Sequence, residues 1–295
     1  FILGRGSNVL VSDEGFRGLV IRLGVRGTEI VEDNSDHILI RAGAGENWDE
    51  FVAYCVENNY SGIECLSGIP SSVGASPIQN VGAYGQEVKD TIVKVEAIDV
   101  DDLSSKEFRC DDCDFEYRTS IFKRENKYIV THVTYKLSKN YKPEFKYKSL
   151  KETFSGFEPT LEQVREKVLE IRKSKSMVYD KDDINSHSTG SYFLNPIVGK
   201  EKAKKLLEDF PDMPHWNQKD SRVKLAAGWL IENAGFNKGY KYKSASLSDK
   251  HALAMVNRGE ATASDIYEFS NVIREKVLGI FGVGLESETV LVGEF

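Results

Sequence analysis

An α+β fold with at least two domains is predicted by three observations. Alternating apolar segments crowd the first half of the chain, at His37 to Ala42, Thr91 to Val100 and Lys127 to Leu137. Helical stripes govern the later part, the longest reading Ile266, Phe269, Ile273, Val277, Ile280. The change falls near Asn140, where Tyr141 to Lys148 mixes aromatic residues with lysines and reads as a solvated linker with snorkelling lysines.

Taken in order, Phe1-Ile2-Leu3 reads as a short strand delivering a first glycine cluster, and Leu19 to Leu23 as another after a turn at Asp13-Glu14-Gly15. From Glu46 to Asn59 the residues Trp48, Phe51, Val52, Cys55 and Val56 recur at helical spacing. Val93, Val95 and Ala97 share one face of the strand from Thr91 to Val100, and His132 lies inside the strand from Lys127 to Leu137, where it reads as structural. Thr160 and Gln163 form a capping box opening a helix to Lys173 that buries Leu161, Val164, Val168 and Ile171 and presents Arg172, Lys173 and Lys175. Asp180 to His187 is a polar loop. Lys200 to Phe210 is a helix stopped by Pro211 and Pro214, and Leu225 to Ala234 a second one ended by Gly235. Lys241 to Val256 mixes turns with a short strand, Ser264 caps the last helix, and Val283 to Val292 closes the chain as strand.

Composition narrows the function. The 295 residues can bury a sizeable core. A net charge of −7 argues against general nucleic-acid binding while leaving room for a local basic pocket. No apolar run approaches the roughly 20 residues of a membrane span, and no signal peptide is present, which points to a cytoplasmic protein. Of the cysteines Cys55, Cys65, Cys110 and Cys113, the last two make a CxxC without a second pair or histidines at ligand spacing, so they read as reduced thiols and no metal is expected.

Two glycine-rich stretches stand apart from this pattern. Gly68 to Gly85 (GIPSSVGASPIQNVGAYG) has no apolar periodicity and reads either as a backbone cradle for an anion such as a diphosphate or as a surface loop. Gly4-Arg5-Gly6-Ser7-Asn8 precedes the strand Val9-Leu10-Val11, and two such loops could close on one diphosphate. With YRTSIFK, GSYFLNP and LESE following in order, the chain resembles the UDP-N-acetylenolpyruvoylglucosamine reductase (MurB) family of the vanillyl-alcohol-oxidase-like FAD-binding superfamily. The likeness extends over nearly the whole chain. It implies a two-subdomain FAD-binding region of that type plus a C-terminal α+β substrate-binding domain.

Arg118, Ser191 and Glu288, taken singly, each read as structural: an ion-pairing arginine, a turn serine and a strand-edge glutamate. Together they match the family's catalytic set. Reducing an enolpyruvyl ether requires hydride at one alkene carbon and a proton at the other, with the charge that develops on the carboxylate stabilised by donors. A guanidinium at Arg118 suits that carboxylate, Glu288 can help if protonated, and Ser191 is the general acid by resemblance. The resemblance also implies noncovalent FAD, since Ser7 stands where related oxidases carry histidine. The backbone of Gly4, Arg5, Gly6, Ser7 and Asn8 and of Ser71, Ser72, Val73, Gly74 and Ala75 would surround its diphosphate. NADPH is implied as co-substrate. Tyr147, Lys175, Asn195 and His251 are implied contacts of the UDP-sugar substrate, while Arg172 reads equally well as a cation at a helix C-terminus.

The expected organisation is an FAD-binding region at 1–150, its N-terminal part truncated relative to the family, a substrate-binding domain at 160–282, and a C-terminal strand segment, 283–295, returning to the flavin site. Because of that expected truncation, an impaired or non-catalytic nucleotide-binding homologue is the alternative. A flavin oxidase with a tethered cofactor is a third reading. Oligomeric state is left open by the sequence.

Overall fold

The computed structural model describes residues 1–295. They pack as two units, Phe1–Gly6 with Leu19–Lys173, and Ser7–Gly18 with Ser174–Phe295.

In the first unit a five-stranded antiparallel sheet runs in the order Thr28–Asp33, His37–Gly43, Tyr128–Ser138, Ile92–Asp99, Ser105–Arg109. The middle strands bury alternate residues, Ile38, Ile40 and Ala42 on one and Val133, Tyr135 and Leu137 on another. Helix Trp48–Glu57 starts where the Asn47 side chain accepts the Asp49 N–H and turns Trp48, Phe51, Val52, Cys55 and Val56 into the core. Trp48 and Phe51 pack on Tyr135 with ring centroids 5.9 and 5.1 Å away, and the Trp48 indole donates to the Leu66 carbonyl at 3.0 Å. Burial of each such side chain contributes about 1.5–3 kcal/mol.

Two details of this sheet differ from the expectation. Ile92, Val95 and Ala97 are buried, not Val93, because the register slips between Thr134 and Tyr135 opposite Lys94 and Ile92 and shifts the alternation by one residue. The edge strand Thr28–Asp33 was not anticipated, since all six of its residues are exposed and no alternation marks it. The expected linker is also anchored: Tyr141 and Phe145 pack beside a cluster of Cys65, Leu150, Phe154, Val164 and Val168.

The second unit joins a four-stranded sheet, Ser188–Ser191, Ala254–Asn257, Ala245–Leu247, Lys241–Tyr242, to a three-stranded one, Ile197–Val198, Val223–Leu225, His215–Asn217. Helix Ala263–Phe281 packs Ile266, Phe269, Ile273, Val277 and Phe281 into a core with Leu247 and Met255. Its stripe ends on Phe281 instead of the exposed Ile280. Its cap is Thr262, in a box with Asp265, and Ser264 lies in the first turn. Asp13 adds a second cap, accepting the Ala263 and Ser264 N–H groups and the Ser264 hydroxyl, which holds its carboxyl below the usual range.

The packing division differs from the expected segments. Helix Leu161–Ser174 buries Leu161 in the sheet core of the first unit and Val164 and Val168 beside Leu150, so it does not open the second. Residues 7–18 belong with the C-terminal unit because Val9–Val11 pairs in parallel with Val290–Val292. No helix is long and apolar enough to cross a membrane.

Candidate active site

In the first unit, a pocket of about 230 Å³ lies among Gly4, Arg5, Arg22, Gly24, Arg26 and Ser72, with Leu23 and Gly45 completing its wall. Strand Ile2–Leu3 pairs in parallel with Ile21–Arg22 and delivers both the glycine cluster and Arg22 to one edge. Gly6 turns at φ +75° with nothing within 4 Å of where a Cβ would stand, so the chain here is open and left-handed. Arg26 pairs with Glu46 at 3.1 Å, which also accepts the Gly27 N–H. Arg5 and Arg22 line the same pocket without an ion pair. Ser72 is 2% exposed, and its hydroxyl is buried with no protein partner.

The second glycine stretch is arranged differently from the expectation. The N–H groups of Val73, Gly74 and Ala75 donate to Glu46, Ala44 and Ser72 at 3.0, 2.9 and 3.2 Å, and that of Ser71 to Ile69 at 2.8 Å. These four amides hold the fold together, while the Ser72 N–H takes no part in the backbone hydrogen bonds. Gly74 is required because a Cβ there would stand 2.4 Å from the Ala44 Cβ. Within Ser71 to Ala75, Ser72 is the residue that lines the pocket, and its hydroxyl is left without a protein partner. The donor set that results, two arginines without carboxylate partners, an orphan hydroxyl and an open glycine turn, fits a diphosphate. The sequence reading missed Arg22 and Arg26; their spacing about Gly24 in Arg22-Leu23-Gly24-Val25-Arg26 was the available signal.

Arg118 stands at φ +55°, a conformation costing an arginine about 1 kcal/mol or more. Its guanidinium donates to the carbonyls of Gly82 at 2.5 Å and Asn80 at 3.4 Å and lies 5.4 Å from the Tyr117 ring centroid. The tail of the Gly68–Gly85 stretch thus aims Arg118. Tyr147 is 42% exposed and meets Tyr84 edge-on at 5.1 Å. Arg172 is buried at 8% exposure, contrary to a solvent-facing helix end. Burial pulls its pKa down, opposed by Tyr84, with which it is hydrogen bonded, and by Asp49.

In the second unit, Ser191 ends strand Ser188–Ser191 opposite Ala254. The next residues pair with the segment carrying Glu288: the Glu288 N–H donates to the Tyr192 carbonyl at 2.8 Å, the Leu194 N–H to that of Glu286 at 2.9 Å, and Phe193 faces Ser287. This short antiparallel ladder sets Glu288 opposite Tyr192, the residue that follows Ser191 in the chain. The Asn195 carbonyl oxygen accepts the Ala227 N–H at 2.9 Å, which orients its amide. His251 Nδ1 accepts the Leu253 N–H at 3.2 Å, so the neutral ring carries its proton on Nε2. Lys175 is half-buried just beyond helix Leu161–Ser174, beside Ser176, whose hydroxyl donates to Asp183 at 2.6 Å. Ser7 and Asn8 fall in this unit, and the Asn8 amide donates to the Glu288 carbonyl at 3.1 Å.

Cys110 and Cys113 share a 3-10 turn, their thiols donating to the Lys89 and Arg109 carbonyls. Burial pushes the Cys113 thiol up to about 12 and raises that of Cys110. No group of three or more His, Cys, Asp or Glu side chains is arranged to hold a metal.

Residues 1–102, which hold this basic pocket and its glycine turn, match the family of FAD binding domains and place the chain among the flavin-binding proteins. Residues 182–292 match the C-terminal domain of UDP-N-acetylenolpyruvoylglucosamine reductase. The UDP-N-acetylenolpyruvoylglucosamine reductase of Thermobifida fusca is 40% identical over 304 residues, covering 99% of this chain and 85% of the relative. That of Bacteroides fragilis is 40% identical over 293 residues, covering 97% and 85%. The crystal structure of the enzyme from Thermus caldophilus aligns with a TM-score of 0.67 at 26% identity, over 99% of this chain and 85% of its own. The chain belongs to the UDP-N-acetylenolpyruvoylglucosamine reductase (MurB) family.

Proposed function

We propose that the protein is an FAD-dependent reductase that uses NADPH to reduce the enolpyruvyl ether of UDP-N-acetylenolpyruvoylglucosamine, giving UDP-N-acetylmuramate for peptidoglycan synthesis in the cytoplasm. The observation that supports this reading is the ladder pairing Glu288 with Tyr192, next in the chain to Ser191, inside the segment matching the reductase C-terminal domain.

Arg5, Arg22 and the Ser72 hydroxyl, with the backbone of Gly4, would hold the FAD diphosphate in the pocket they line. FAD bound there supplies hydride chemistry, with NADPH as the source and the substrate alkene as the acceptor. Arg118, held by the Gly82 and Asn80 carbonyls, binds the substrate carboxylate and stabilises charge that develops on it. Ser191 delivers a proton to the second alkene carbon, and Glu288, in its protonated form, donates a hydrogen bond to the same carboxylate. Tyr147 and Lys175 bind the UDP diphosphate, and Asn195 and His251 supply further polar contacts to the sugar nucleotide.

An anaerobic absorbance titration tests this. Adding NADPH to the FAD-loaded protein is expected to bleach the flavin band, and adding the enolpyruvyl substrate to restore it. Ser191→Ala should keep the bleaching and lose the recovery; recovery at the unaltered rate would remove the serine as the acid.

A further inference from the structure

Glu288 lies where the chain changes partner. Before it, residues 286–288 pair with residues 192–194; after it, Val290–Val292 pairs with Val9–Val11. A residue at such a crossover belongs to neither ladder completely, so regular sheet pairing alone does not fix the direction of its side chain. Here the gap is closed by side chains. Asn8 accepts the Val290 N–H on its own carbonyl at 3.0 Å and donates its side-chain amide to the Glu288 carbonyl at 3.1 Å. On the following residue, the Thr289 hydroxyl, 4% exposed, meets that of Thr189 at 2.7 Å, and the Ser287 hydroxyl donates to the Thr289 carbonyl at 2.8 Å.

We propose that Asn8 is a positioning residue for Glu288: its amide, assisted by the Thr189–Thr289 hydroxyl pair, holds the crossover so that the Glu288 carboxyl keeps its direction. This deepens the reading above and rests on it for the role of Glu288. It also gives Asn8 a duty other than the cofactor contact expected from the glycine cluster. The physical ground is that a carboxyl displaced by about 1 Å loses most of its effect on a transition state. A backbone rotation at Glu288 produces such a shift, and Asn8 and Thr289 are the groups that resist it.

Asn8→Asp keeps the shape and replaces the donor by an acceptor facing a carbonyl. With FAD-loaded protein in rapid mixing, the variant is expected to slow flavin reoxidation by the enolpyruvyl substrate about tenfold more than flavin reduction by NADPH. Combined with Glu288→Gln, it should add less than about a further twofold, since both changes disable one group. In the flavin-free protein, hydrogen exchange at the amides of residues 288–290 should accelerate. Thr189→Val, which leaves the glycine cluster untouched, should give the same imbalance in weaker form and carries the test if Asn8→Asp does not fold.

Equal losses in both half-reactions with unchanged exchange, or full multiplication of the Asn8 and Glu288 effects, would overturn the proposal. Wild-type protein that is never reoxidised by the enolpyruvyl substrate would sink the functional reading instead. The exchange measurement would still report whether Asn8 holds the crossover.

Discussion

The two glycine-rich stretches look alike in sequence and do opposite things. In the first, Gly6 is open on all sides and left-handed, and the neighbouring Arg5 faces a pocket. In the second, a Cβ on Gly74 would strike Ala44, one on Gly82 would lie 2.8 Å from Glu87, and one on Gly85 would lie 2.9 Å from Lys146. Glycine thus leaves the backbone open in one place and admits close packing in the other. The second stretch contributes to chemistry through what it packs: it lends the Asn80 and Gly82 carbonyls to Arg118 and the Ser72 hydroxyl to the pocket.

The largest effect expected from this contrast is at Gly74. Gly74→Ala forces the Ala44 backbone to move and should cost about 3 kcal/mol in urea unfolding, while Gly6→Ala meets no atom and should cost about 1 kcal/mol from its φ alone. If Gly74→Ala left stability intact and weakened only FAD binding, the second stretch would be a cradle after all.

Next in size is the anchor at Gly68, whose N–H donates to Asp49 at 2.6 Å. Burial pushes the Asp49 carboxyl up, but the Arg165 pair at 2.6 and 3.0 Å, the Gly68 N–H and nearby Arg172 more than offset it, so its pKa is lowered. A depressed carboxyl gives stability that is present above its unfolded value and lost as pH falls through the folded one. Asp49→Asn should therefore destabilise by about 1–2 kcal/mol at pH 7, discounted for partial solvent screening. The gap from wild type should close below about pH 4. A gap independent of pH would mean that packing, not charge, anchors Gly68.

The same contrast explains what the sequence made legible. Alternation found the three long strands of the first sheet because one face of each is buried. It could not find Thr28–Asp33, exposed throughout, nor foresee that a register slip would bury Ile92 in place of Val93. Motif order singled out Arg118, Ser191 and Glu288, but the pairing of residues 286–288 with 192–194, just after Ser191, joins segments too far apart in the chain to be read from it. The engagement of the Val73 and Gly74 amides was not legible because it depends on Glu46 and Ala44, some 30 residues away in the chain. Burial of Arg172 was hidden for a similar reason, since helical position predicts a face but not the tyrosine waiting opposite it.

Smaller effects sharpen the assignment of the pocket. Arg22→Ala, and separately Arg5→Ala, should each weaken FAD binding about tenfold at low salt, with stability unchanged within about 0.5 kcal/mol, because neither arginine supports the fold through an ion pair. The loss should shrink as salt is raised. Isothermal titration of FAD-free protein measures both.

Ser72 is the finest probe, because its hydroxyl is buried without a protein partner. A buried, unpaired hydroxyl contributes nothing favourable to the empty fold, and its removal leaves little to collapse. Ser72→Ala should therefore leave the flavin-free protein as stable as wild type or slightly more so in thermal melts, while weakening FAD binding by about three- to tenfold. The two readouts move in opposite directions only if the hydroxyl is kept for the ligand. A variant that lost stability and kept its affinity for FAD would return Ser72 to the packing role of its neighbours, leaving the arginines and the first glycine cluster as the whole of the cofactor's polar grip.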